Sequence, residues 1–281
     1  MVQSLDQMPN PINDNVVNRC SSVKNGIIDL YESRSILRSL IIKDLFGDYR
    51  NSFLGFGWHF VMPLVMMAVF YLAFSVGSSS SLPDFWIYIC SAIFPFNFML
   101  SMLTDGSGTV VNNSEMIKKM YFPRDIIVIA KVISSFIITI LGYMLVLGII
   151  VAYGYPLNIK SLLILPIILV MMAVFSLGCA LFFSSLTVYI RDVQYLLKST
   201  SIVFFFITPM YFVADRVVGV FRDVINYNPL SYYTGACQSI IYYGEVPASD
   251  ILIACTLLAV ISLIVGYLVF NRLKNGFAER L

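Results

Sequence analysis

Tyr49 and Arg50 stand just ahead of the first long apolar run, which begins near Phe56. A guanidinium at such an entry point can grip a phosphate through two parallel N–H donors. The same residue type anchors a membrane-entering helix by snorkelling, with its stem in apolar surroundings and its head in water. Trp58 fits either an interfacial anchor or a contact to a substrate. A second concentration of charge lies at 115–125, where Glu115, Lys118, Lys119, Arg124 and Asp125 surround Pro123. The proline closes one helix before the next begins. This segment is tied to apolar runs on both sides by short connections. It reads either as a lever for a partner or as a solvated loop. Arg191 and Asp192, after a later apolar run, are either a second such contact or a helix end.

The third candidate is aromatic. Phe60, Met67, Tyr71 and Phe74 recur at helical spacing in the first run. Phe204, Phe205, Phe206 and Tyr211 fall in a later one, and Tyr232 and Tyr233 in a tyrosine-rich stretch beyond it. Aromatic rings offer flat, electron-rich faces to weakly polar C–H groups such as those of sugars. Such rings also pack helices together or face lipid, and the spacing leaves these readings open.

Other chemistry is missing from the sequence. It contains no GxxxxGK[ST] phosphate loop, so nucleotide hydrolysis would have to reside on a separate chain. Ionisable side chains are nearly absent from the apolar runs, which argues against ion-coupled carriers and paired-carboxylate hydrolases. A broken helix coordinating an ion through its carbonyls is the exception to that argument. His59 is the single histidine, and it reads as an interfacial residue beside Trp58. Cys20, Cys90, Cys179, Cys237 and Cys255 have no ligand spacing. Three of them lie inside apolar runs, where a thiol is a small packing group. No metal site and no cofactor on this chain are expected.

The elements that must carry these residues are membrane helices. The chain of 281 residues is 59% hydrophobic and 12% charged, against about 25% charged in a soluble domain. Apolar runs at 56–76, 85–104, 126–153, 161–190, 199–214 and 251–270 predict six spans, each near the roughly 20 residues that cross a bilayer core. The fourth exceeds that length, which tilt accommodates. The fifth is short and holds Pro209, which predicts a broken helix. Fifteen of the 18 Lys and Arg residues fall on one side of this pattern, leaving Lys160, Arg216 and Arg222 on the other. Both termini are therefore expected in the cytoplasm. The first apolar run starts too late for a cleaved leader.

A helix-like stretch at 26–53, with Leu37, Ile41 and Leu45 on one line and Ile42, Phe46, Tyr49 and Phe53 on another, fits the headgroup region. The external segment 215–250 is long enough to hold elements of its own. The expected fold is an all-α membrane protein with six transmembrane helices, an N-terminal amphipathic interface helix and short external helices before the last span. It divides into a cytoplasmic segment 1–54, a transmembrane domain 55–270 and a tail 271–281. Within the domain, 107–125 is the charged coupling segment and 215–250 the external one.

The stretch IKDLFGDYRNSFLGFGWHFVMPLVMMAVFYLAF at 42–74 resembles the N-terminal signature of ABC-type polysaccharide and teichoic-acid export permeases. The matching positions are Tyr49, Arg50, Ser52, Leu54, Gly55, Trp58 and Pro63. The block NNSEMIKKMYFPRDI at 112–126 is similar to that family's cytoplasmic segment. Arg191 with Asp192, Thr208 with Pro209, the run Asn228, Pro229, Leu230, and the ending FNRLKNGFAERL agree as well. Together they cover roughly residues 30–281. One departure is Gly47 and Asp48, where the family has a more basic pair.

The resemblance implies a homodimer in the bacterial inner membrane, with two copies of a separate ATPase beneath it carrying ATP and Mg. It implies that residues 115–125 dock on that ATPase. It also implies lipid-linked polysaccharide as cargo, O-antigen on undecaprenyl diphosphate foremost. Tyr49, Arg50 and Trp58 would then meet the carrier, and the aromatics of spans one and five would line the glycan channel. Tyr232 and Tyr233 would stand at its exit. Teichoic acid, capsule and a small lipophilic compound stay open as cargo, and a membrane enzyme for lipid-linked sugars as the other class. No nucleic-acid partner is expected.

Overall fold

The structure, a computed structural model, describes residues 34–47, 55–76, 82–119, 122–214 and 217–280. Tyr49 and Arg50 lie outside them, as do the side chains of Phe74 and Lys119. The described residues are overwhelmingly helical. In chain order they form α1 (Arg34–Phe46), α2 (Trp58–Val76, entered through a 3-10 turn at Gly55–Gly57), α3 (Phe85–Asn112) and α4 (Ser114–Lys119). Next come α5 (Asp125–Tyr153), α6 (Ile159–Leu162), α7 (Leu165–Tyr189) and α8 (Asp192–Ile207). The chain then runs through α9 (Val220–Tyr227), α10 (Pro229–Ile241) and α11 (Ser249–Leu273) to a 3-10 turn and α12 (Phe277–Arg280).

Five stretches among the described residues are long and apolar enough to cross a membrane: Gly55–Ala73, Phe85–Lys118, Asp125–Tyr153, Ile159–Tyr189 and Ser249–Gly276. The expected span at 199–214 is displaced. Its helix starts seven residues earlier, at Asp192, and stops at Ile207. The cause lies at both ends, since Asp192 favours the positive end of the helix dipole and Pro209 removes a backbone donor. At 16 residues, α8 rises about 24 Å, short of the roughly 30 Å hydrocarbon core.

The core is built around α3, which packs against α2, α5, α7, α8 and α10. Helices α7 and α11 make the closest pair, and glycine is the reason. A Cβ on Gly178 would collide with the Ser262 backbone, and one on Gly266 with the carbonyl of Gly178. Membrane helices gain little from hiding apolar surface, because lipid is equally apolar, so close backbone approach is what holds such a pair. Seven hydroxyls inside the bundle are satisfied locally: Ser91, Ser107, Ser134, Thr139, Ser184, Ser185 and Thr187 each donate to a carbonyl three or four residues back, whereas the buried Ser176 hydroxyl of α7 has no such bond. Helix α1 lays Ile36, Leu37, Leu40 and Ile41 against the bundle and packs on α5, while Ile42 and Phe46 stay exposed.

The ends of the helices form two separate layers. Lys43 donates to Asn113, Tyr189 to the Leu273 carbonyl, and Arg124 to the Lys274 carbonyl, at the end rich in lysine and arginine. At the other end Tyr242 donates to the Pro83 carbonyl at 2.7 Å, Tyr155 to the Tyr242 carbonyl at 2.8 Å, and Asn158 to the Gly244 carbonyl at 2.9 Å. Burial pushes the Tyr242 phenol up to about 12, with Tyr155, Tyr243 and Asp84 adding to it. Burial raises Tyr155 too. Both phenols therefore stay neutral donors at any physiological pH.

Candidate functional site

The charged segment is a short helix hung between α3 and α5. Asn113, at the junction, donates to the Thr109 carbonyl at 2.8 Å and accepts from Lys43 at 2.9 Å, which fastens α1 to the start of α4. Ile117 and Phe122 sink into the core and fix how α4 lies. Glu115 and Lys118 are left on the exposed side. Pro123 then turns the chain, and the Ile126 amide bonds to its carbonyl as α5 begins. Asp125 occupies the first turn of α5, where a carboxylate suits the dipole. Arg124 faces the other way: its guanidinium donates to the Lys274 carbonyl and lies 5.9 Å from the centre of the Phe277 ring. Arg191 is exposed at the start of α8, beside a recess that it lines together with Val188, Tyr189 and Arg280.

The aromatic candidates divide in the same way. Phe205 and Tyr211 stack 5.4 Å apart, and both pack on Phe70 of α2, at 5.2 and 5.4 Å. Phe96 of α3 closes the cluster at 6.0 Å from Phe205. Phe70, which spacing did not single out, is thus the α2 residue in this seam. Tyr71 is the next residue, turned about 100° around the helix, and is 40% exposed. Phe60 packs at 5.4 Å on Phe56, and Met67 meets the Cys90 thiol of α3. The stripe of Phe60, Met67 and Tyr71 therefore does not share one environment. Phe204 is half-buried, and Phe206 is exposed on α8. Trp58 is half-buried in the first turn of α2, beside His59, which contacts the Phe56 carbonyl through Nδ1.

Beyond Ile207 the backbone leaves helical geometry in buried surroundings. In a membrane each unsatisfied backbone group there costs several kcal/mol, so irregular chain survives only where the protein supplies partners. Thr208 bonds back to the Phe204 carbonyl through both its amide and its hydroxyl. The Asn228 amide group donates to the Thr208 hydroxyl at 2.9 Å, and Gln238 donates to the Pro209 carbonyl at 3.0 Å. Tyr88 of α3 donates to the Phe212 carbonyl at 3.1 Å. Asn228 also caps α10, its side-chain oxygen accepting from the Leu230 amide. With Pro229 at the first helical position, this is a strong helix start. Helix α10 thus completes the hydrogen bonding of the break in α8.

The two exit candidates part company on α10. Tyr233 is fully buried, with its ring 5.4 Å from Phe175 and its hydroxyl donating to the Cys255 carbonyl at 2.8 Å. Tyr232 is half-buried at the margin.

Residues 37–242 match the ABC-2 type transporter family. The chain belongs to that family. It is similar to the O-antigen export system permease protein RfbA of Klebsiella pneumoniae, with 26% identity over 237 residues, 84% of this chain and 91% of the relative. It is similar also to the protein of the same name from Myxococcus xanthus, with 26% identity over 257 residues, 89% of this chain and 97% of the relative. As an ABC-2 protein the chain is the membrane subunit of a transporter.

Sequence reasoning passed over Lys43, Asn113, Phe70, Asn228 and Gln238 as site residues in this ABC-2 chain. Asn228 and Gln238 carried a usable signal, since amides in a stretch that must pack against membrane helices need partners. Phe70 carried none, because α2 is apolar on all sides.

Proposed function

We propose that this ABC-2 protein is the permease subunit of an ATP-driven exporter that moves lipid-linked polysaccharide across the bacterial inner membrane, with O-antigen on undecaprenyl diphosphate as the cargo. The observation that carries the reading is the match along most of the chain to O-antigen export permeases. Two copies form the pathway and two copies of a separate ATPase, which holds ATP and Mg, bind beneath them. The basic end of the bundle is cytoplasmic. This chain makes and breaks no bonds.

Several features support the parts of that reading. Glu115 and Lys118 stand exposed on a helix braced from behind, which suits docking by an ATPase, and Lys119, Asp125 and Arg191 are assigned to the same contact. Helix α2 exposes Met62, Val65 and Val69, an apolar face suited to meeting a second copy or lipid. The seam of Phe70, Phe205 and Tyr211 joins α2 to α8 and the chain just beyond it, and Phe60, Tyr71, Phe74, Phe204 and Phe206 are assigned to the same glycan path. Ring contacts to sugar are individually weak, and a conduit needs binding weak enough to let the chain move on. Tyr232 is the better exit residue of its pair, because the hydroxyl of Tyr233 is committed to Cys255. Tyr49, Arg50 and Trp58 receive the carrier diphosphate.

Affinity purification of the chain from its own membranes tests this reading. An ATPase should come down in equimolar amount, and lipid-linked glycan should raise its turnover. A chain that exports glycan with no ATPase attached would sink the proposal.

A further inference from the structure

We propose that the C-terminal segment 274–280 is a clip joining the coupling segment to α7 and α11, and that Arg124 is a positioning residue of that clip rather than a contact to the ATPase. The inference rests on the permease reading above and deepens it, by naming what carries the push from α4 into the membrane helices.

The geometry is specific. Helix α11 ends at Leu273, and its carbonyl accepts from the Tyr189 hydroxyl at 3.0 Å. A tight turn follows at Lys274–Gly276. A Cβ on Gly276 would strike the Tyr189 hydroxyl, so with a larger residue there the tyrosine would have to shift away from the turn. Phe277 is then fully buried, edge-on to Phe270 at 5.5 Å and 6.4 Å from the Tyr189 ring. Arg280 places its guanidinium 4.9 Å from the centre of the Tyr189 ring. Arg124 in turn holds the Lys274 carbonyl and faces the Phe277 ring. Three helix ends far apart in the chain therefore meet at residues 273–280: the start of α5, the end of α7 and the end of α11.

This arrangement suits force transmission. A loop needing only solubility would leave Phe277 exposed or polar. Arg124 sits between α4 and α5, one residue after Pro123. Its planar head can bond a carbonyl along one edge while its face lies on a ring, a geometry that the compact ammonium of lysine does not reproduce. A displacement of α4 is then shared with α7 and α11 instead of being lost in the turn at Pro123.

The test uses the full complex of the chain with its ATPase, comparing wild type with Arg124→Ala, Arg124→Lys, Phe277→Ala and deletion of 274–281. Three quantities are read: ATPase recovered with the chain, ATP hydrolysis by the purified complex, and surface glycan per cell. Losing a charge-assisted bond and a ring contact should lower glycan exported per ATP hydrolysed by about tenfold. ATPase recovery should stay level, and Arg124→Lys should fall between wild type and Arg124→Ala. A folding defect would lower all three quantities together, so the ratio of export to hydrolysis separates positioning from support. If the deletion does not fold, Arg124→Ala carries the same readout. Wild-type export per ATP in Arg124→Ala and Phe277→Ala overturns the clip. So does loss of ATPase recovery in Arg124→Ala, which would make Arg124 a docking contact. If wild type itself recovers no ATPase, the permease reading fails instead.

Discussion

Helices α2 and α3 are both long and apolar, yet 78% of the apolar window in α3 is buried against 6% in the first span. Hydropathy alone does not separate them, because a lipid-facing side chain and a core side chain are equally apolar. Small residues do. Helix α3 carries Ala92, Gly106, Ser107 and Gly108 at contacts, and the α7 and α11 pair carries Gly178 and Gly266. Helix α2 instead presents Met62, Val65, Val69 and Leu72 outward and holds on through Met67, Phe70 and the Phe56 turn. The chain is thus a tight block of α3, α5, α7, α10 and α11 with a looser flank of α2 and α8. The flank is also where the pathway is proposed, and an exporter must open somewhere.

The sharpest way to break this comparison is to insert bulk into the block. Gly178→Leu drives a side chain into the α11 backbone at Ser262. Overpacking that no flexible neighbour can absorb should cost about 3 kcal/mol or more. Monodisperse protein in detergent should largely disappear. The matching change on the flank, Val69→Leu, sits on an exposed face and should leave the yield unchanged. Equal yields for the two variants would mean that the block is not tighter than the flank.

A middle-sized effect is expected where block and flank are hydrogen-bonded together. Gln238→Leu leaves the Pro209 carbonyl buried without its donor, which should cost about 1–3 kcal/mol. The loss should appear as thermal destabilisation together with faster trypsin cleavage near Arg222, as α9 and the break loosen. Destabilisation without any change at Arg222 would place the weakness elsewhere in the bundle.

Much of the fold was legible in the sequence. The ends of α5 and α11 follow from where apolar runs stop, and the helix ahead of Pro209 ends at Ile207, as the proline predicts. Helix α3, in contrast, runs past its apolar stretch at 85–104 to Asn112 through Asp105, Ser107 and Thr109. The start of α8 was missed because Asp192, Gln194 and Lys198 are polar, and an apolar count begins only after them. The site was harder to read for a related reason. On α2 the residues Phe70 and Tyr71 differ by one step in sequence and by the side of the helix they occupy, and periodicity cannot choose a side when all sides are apolar. Arg124 was assigned to the ATPase contact together with the rest of 115–125, through the family resemblance of that segment. The Lys274 carbonyl and the Phe277 ring offered it a partner 150 residues away that no local pattern reveals.

The smallest expected effect concerns the two tyrosines of α10, and it asks whether α10 belongs to the block or to the pathway. Tyr233 fills the space between Phe175 and α11, so only its hydroxyl can be removed without leaving a cavity. Tyr233→Phe keeps the ring and deletes one hydrogen bond. The Cys255 carbonyl lies in the body of α11, where the helix ladder also uses it, so no acceptor is stranded. The cost should therefore be about 1 kcal/mol. Export per folded molecule should match wild type if the hydroxyl serves packing alone. Tyr232→Ala should do the reverse, changing stability little because the ring lies at a half-buried margin, while reducing the length or amount of glycan at the cell surface. Measuring both variants for thermal stability and for surface glycan gives a crossed pattern if α10 has a packed side and an open one. A fall in export for Tyr233→Phe with stability unchanged would move that hydroxyl out of the block and onto the path, and the boundary between the two regions would have to be redrawn through α10.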